Sequence, residues 1–164
     1  MIGYPTSYVG MFDAHTDGRP VVTSIEIPLI QRDYAQGRRG SKVAEIRARF
    51  LDVLYEAAAG KQPVGLDFVY GDVTGGTLRP LDGQHRLTTL FLLHWYLAVR
   101  SGHLHEQASW TRFSYATRAS ARLFCERLVA FKPPVELDSP SAWITDSRGI
   151  CTFGFTIRPS PPCS

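Results

Sequence analysis

The stretch LRPLDGQHRLTTLFLLHWYLAVR, residues 78–100, constrains the fold more than any other part of the chain. From Arg86 onward its side chains are apolar on most faces of a helix. It therefore predicts a core helix over 86–100, closed at Ser101-Gly102. Directly before that helix stand Asp82, Gly83, Gln84, His85 and Arg86, residues able to grip an anion at the point where a strand becomes a helix. Two explanations fit this placement. In one, Asp82 caps the helix at a tight turn and Arg86 is solvated. In the other, the helix N-terminus is a phosphate site, with up to four N–H groups lacking intrahelical partners and roughly half a positive charge from the peptide dipoles.

A helix apolar on most faces needs partners, and the rest of the chain supplies them. VVTSIEIPLI, residues 21–30, is rich in β-branched side chains and predicts a strand with Pro28 at an edge or an end. SKVAEIRARFLDVLYEAAAG, residues 41–60, predicts an amphipathic helix with Ser41 as N-cap and Gly60 just past its end. Residues 66–83 carry an apolar run, Gly75-Gly76 and a second short run, which predicts a β-hairpin delivering the chain to Asp82. A last helix is expected over 117–131, before Pro133-Pro134. The expected organisation is a loop lead-in at 1–20, one α+β domain over 21–131 with a small mixed sheet and packed helices, and an irregular tail at 132–164.

Composition narrows the function classes. A chain of 164 residues suits one domain with a real core. A net charge of +3 permits polyanion binding without arguing for it. Cys125, Cys151 and Cys163 form an odd set without C-x-x-C spacing, so neither a disulfide framework nor a zinc site is indicated. The first residues lack the basic and apolar regions of a leader, and the apolar run at 87–99 falls short of the ~20 residues of a membrane span. A cytoplasmic protein without membrane contact is expected.

The chemistry of the polar cluster follows from its residue types. Gly83 lets backbone approach a ligand, or takes a positive φ that a side chain would resist. Arg86 offers a planar fork for two phosphate oxygens, with Gln84 and His85 as further donors. Asp82 is the misfit at an anion site unless it caps the helix, holds the arginine, or carries a divalent cation that bridges to phosphate. A second cluster, Gln31 and Arg32 in IPLIQRDY, ends the first strand as Asp82 to Arg86 end the hairpin. If the two strands are neighbours, both clusters meet at one edge of the sheet, and convergent arginines repel unless an anion lies between them. Otherwise Arg32 pairs with Asp33 or Asp72.

The residues IPLIQRDYAQGR, then PLDGQHRLTTLFLLHWYL and then FSYATRASARLFCERLV resemble, in order and spacing, the N-terminal domain of GmrSD-type restriction endonucleases, whose fold is similar to ParB and sulfiredoxin. The likeness runs over residues 25–129. The family's usual motif is D-G-Q-Q-R, and here His85 replaces its second glutamine. The resemblance implies binding and hydrolysis of a nucleoside triphosphate, with Mg2+, in a phage-defence system that cleaves modified DNA through a separate HNH nuclease part. Carried over by position, Asp82, Gln84 and His85 would be catalytic, with Asp82 also meeting the metal. Gln31, Arg32, Gly83 and Arg86 would hold the nucleotide, and self-association is an open possibility. The alternatives are a ParB-like DNA-binding or adaptor module without hydrolysis, or an inactive fragment.

The chain also departs from the family. No H-N-H spacing occurs, and His94, His103 and His105 are expected at the core edge and on surface loop. The tail SRGICTFGFTIRPSPPCS breaks with the pattern before it. Residues 149–164 can be encoded so that a two-base shift reads YLHVWVYDPTVAAML, which resembles the family's next segment. The expectation is thus a frameshifted, truncated member in which the apolar surfaces of the 87–99 and 117–131 helices lack their cover.

Overall fold

The computed structural model describes residues 3–28, 41–61, 63–105, 108–116 and 119–131. Gln31, Arg32 and the tail lie outside the described residues, so their expected roles carry no structural account. The described elements are β1 (Ser24–Ile27), α1 (Ser41–Ala58), β2 (Tyr70–Thr74), β3 (Thr77–Asp82), α2 (Gln84–Arg100), β4 (Phe113–Tyr115) and α3 (Ala119–Ala130). Short 3-10 turns occur at Gly10–Phe12 and Ser109–Thr111.

Four strands form a mixed sheet in the order β2-β3-β1-β4, so the molecule is α+β. β2 and β3 are the predicted hairpin, antiparallel, with Thr74 opposite Thr77. Gly75 at φ 58° and Gly76 at φ 79° make its two-residue turn, in which both central residues need a left-handed backbone. β1 runs parallel to β3, Ser24 opposite Thr77 and Ile25 opposite Leu78. It also runs parallel to β4, Ile25 opposite Phe113 and Ile27 opposite Tyr115. The carboxyl ends of β1, β3 and β4 therefore share one edge, the edge at which α2 begins.

Alternation along β1 sorts the two faces of the sheet. Ile25 and Ile27 are buried against α2 and α3 in one cluster with Leu87, Phe91, Leu128 and Phe113. Phe91 of α2 stacks on Phe113 of β4 with ring centroids 4.7 Å apart and planes at 7°. On the opposite face Ser24 bonds Thr77 at 3.0 Å and Arg79 pairs with Glu26 at 2.8 Å, a polar surface between parallel strands. From the lead-in, Tyr8 is buried in the core, and its hydroxyl donates to the Trp110 carbonyl at 3.1 Å. α2 ends as predicted: the Gly102 N–H bonds the Val99 carbonyl and the His103 N–H the Ala98 carbonyl, which closes its last turn.

One element is added and one expectation is corrected in part. Residues 113–115 form a strand that periodicity does not announce, because three residues are too few to alternate visibly. The apolar faces of α2 and α3 are covered in part: Leu87, Phe91, Trp95, Cys125, Leu128 and Val129 are buried, whereas Leu92 and Leu97 of α2 stay exposed. Further exposed apolar side chains stand on α1, at Ile46, Leu51 and Tyr55, and at Phe68 and Leu81.

Candidate functional site

The start of α2 is built around one glycine. Gly83, not Asp82, is the N-cap, with φ 83° and ψ 10° and no side-chain cap hydrogen bond. The capping role expected of Asp82 is thereby corrected: Asp82 ends β3 opposite Tyr70. An L side chain at Gly83 would be strained by the left-handed backbone. Its Cβ would also come within 2.7 Å of Val69 Cγ2 and 3.3 Å of an Arg86 terminal nitrogen. The absent side chain thus admits Val69, so of the two roles foreseen for Gly83 the conformational one is realised.

Arg86 is neither solvated nor free. Its Nη2 donates to the Phe68 carbonyl at 2.9 Å, and its Nη1 lies 3.4 Å from the Asp67 carboxylate. Its Nε is buried without a hydrogen-bond partner, so these contacts leave one guanidinium N–H unsatisfied. Asp67 itself is 86% exposed. Residues 67–69 thus lie across the helix start as a strap: Val69 fills the space over Gly83, while Phe68 and Asp67 hold Arg86.

Gln84 is buried and its side chain donates to the Pro80 carbonyl at 3.3 Å. Thr88, one turn on, donates to the Gln84 carbonyl at 2.9 Å and meets the Tyr115 hydroxyl at 3.0 Å, tying β4 to the first turn of α2. His85 is half-buried; burial holds its pKa below the ordinary histidine value, and the Asp82 carboxylate partly offsets this. The structure therefore brings Asp82, Gly83, Gln84, His85 and Arg86 together at the shared carboxyl edge of three parallel strands, where ligands of open parallel sheets commonly bind.

No protein-family model, curated protein or solved structure matches the chain.

Among the described residues no three His, Cys, Asp or Glu side chains gather as a metal cluster. Asp82 offers one carboxylate, and a Mg2+ ion carried by nucleotide phosphates needs only one or two, so the residue fits that limited role. Among the described residues no helix is long and apolar enough to cross a membrane. His94 packs its ring 4.9 Å from Tyr8, with Nδ1 2.8 Å from the Leu90 carbonyl, and His103 and His105 are exposed, as expected of each. Burial pushes the Cys125 thiol up to about 12, which makes it a packing residue and not a nucleophile. An open cleft lined by Ser24, Arg112, Phe113, Ser114 and Glu126 lies at the amino ends of β1 and β4, away from the start of α2.

Sequence reasoning missed Asp67, Phe68, Val69 and Tyr115. Thr88 was missed as well, although its place four residues after Gln84 on a helix is a local signal that could have found it. Asp67 and Tyr115 reach the site only through strand pairing, and no local pattern marks them.

Proposed function

We propose that this chain is a nucleotide-binding, NTP-hydrolysing domain of a GmrSD-like restriction system, with a ParB/sulfiredoxin-like fold and its nuclease chemistry supplied by a separate HNH part. The observation that supports this reading best is the parallel pairing of β1 with β3. β3 thereby delivers Asp82 to Arg86 to the carboxyl edge that it shares with parallel β1, where ligands of open sheets commonly bind. Arg86 then offers its fork to phosphate oxygens beside the helix N-terminus. Asp82 is placed to meet a phosphate-bound Mg2+ or to orient the attacking water, and half-buried His85 is a donor whose charge a bound anion would favour.

Isothermal titration with ATP or GTP and Mg2+ tests the binding. Arg86→Ala should lose about 1.5 to 3 kcal/mol of affinity, the range for a hydrogen bond to a charged group, and equal affinities would remove Arg86 from the site. Asp82→Asn keeps the side chain's size while removing its charge, and because Gly83 is the cap this change leaves the helix start intact. Hydrolysis should fall at nearly unchanged binding, whereas unchanged turnover sinks the catalytic role of Asp82. Stabilisation by duplex DNA but not by nucleotide would favour the ParB-like DNA-binding reading instead.

A further inference from the structure

We propose that Asp67 is an inhibitory gate on the phosphate-binding arginine: its carboxylate and the Phe68 carbonyl occupy the Arg86 guanidinium in the resting state, and an incoming polyphosphate must displace them. This rests on the reading of Arg86 as the phosphate clamp and concerns how that clamp is regulated. Three observations carry it. The two strap contacts, at 2.9 Å to a neutral carbonyl and 3.4 Å to a carboxylate, engage both terminal nitrogens of the fork that would otherwise grip phosphate. Asp67 is 86% exposed and at the long end of ion-pair distances, so its hold is weak and yields to a competing anion. The buried, unpartnered Nε shows that the resting arrangement does not satisfy the guanidinium, which lowers the cost of leaving it.

The strap is joined to the rest of the site. Val69, the next residue but one, packs over Gly83, so release of Arg86 frees one of the two attachments of 67–69 to the helix start. Phe68, 81% exposed, moves with that backbone and reports the event.

The test is calorimetric titration of the full chain with inorganic tripolyphosphate, which has no base to bind elsewhere. Four forms are compared: unaltered chain, Asp67→Asn, Arg86→Met and the double variant. Methionine keeps the apolar stem of Arg86 and so guards against misfolding. Asp67→Asn should tighten binding about two- to fivefold at low salt, the range for an exposed ion pair, and less as salt is raised. The gain should vanish when Arg86 is Met. Binding that depends on Arg86 but ignores Asp67→Asn overturns the gate and leaves the clamp standing. A gain that persists with Arg86→Met also overturns it, because the effect is then diffuse charge. If no form binds tripolyphosphate, or Arg86→Met changes nothing, the clamp fails and the gate with it.

Discussion

Helices α1 and α2 are both announced by periodicity, α1 as amphipathic and α2 as apolar on most faces, and they meet different fates. Each carries apolar residues at helical spacing, and each ends at a glycine past its last turn. Leu87 and Phe91 of α2 are fully buried in the core, whereas Ile46 and Tyr55 of α1 are 56% and 70% exposed. Among the described residues no side chain of α1 belongs to the core cluster, and Leu54 alone in that helix is buried. The cause is attachment. One glycine joins β3 to α2, so the helix must lie back along the sheet from which it leaves, and its apolar face meets Ile25, Ile27 and Phe113. Periodicity shows that a helix forms and which face is apolar. What that face covers is set by the strands next to it.

The comparison breaks most easily at paired truncations. Phe91→Ala removes a fully buried ring stacked on Phe113 and should cost about 3 to 5 kcal/mol in urea unfolding. Ile46→Ala should cost within about 0.5 kcal/mol, as surface changes do. Similar losses at the two positions would mean that α1 is held to the domain as firmly as α2.

A second pair sharpens the contrast at the glycines. Gly60 follows α1 at φ 71° with nothing within 4 Å of an added Cβ, so Gly60→Ala meets only the backbone penalty of about 1 to 2 kcal/mol. Gly83→Ala meets that penalty and the Val69 side chain at 2.7 Å as well, and should cost more. Val69→Ala in the same chain should recover the excess. Equal costs at both glycines, or no recovery, would show that the strap moves aside freely.

The site was legible in part, and the boundary has a physical cause. Asp82 to Arg86 and the turn at Gly75-Gly76 are local features: residue types and spacing within one strand–helix junction carry them. The cap was misplaced by one residue because a short polar side chain before a helix is the usual capping signal, and only the backbone shows that Gly83 takes the left-handed conformation instead. Asp67 and Tyr115 are non-local. Asp67 stands nineteen residues before Arg86 and Tyr115 twenty-seven after Thr88, so only the pairing of β2 with β3 and of β1 with β4 brings them in. The buried part of the α2 and α3 faces was misjudged for the same reason: β4 and Tyr8 supply cover that no helical pattern reveals, while Leu92 and Leu97 remain exposed.

The smallest expected effect distinguishes the two helices by acid. α1 contains no histidine, whereas the first turn of α2 carries His85, whose pKa is held below the ordinary value of 6.5, first by burial and against the pull of Asp82. Above that ordinary value His85 is neutral in both folded and unfolded chains and adds no pH dependence. As pH falls below it the unfolded chain takes up a proton that the folded chain resists, so acid costs stability until the folded ring also charges. His85→Gln should remove this slope from a pH series of melting temperatures. Hydrogen exchange should show the acid loosening at the first turn of α2 and not along α1. A bound polyphosphate would reverse the sign locally: a neighbouring anion favours the imidazolium, so the chain should take up a proton on binding, and affinity should strengthen as pH falls. An NMR titration of the His85 ring with and without tripolyphosphate reads both effects, and a ring that titrates identically in the two cases separates His85 from the anion site.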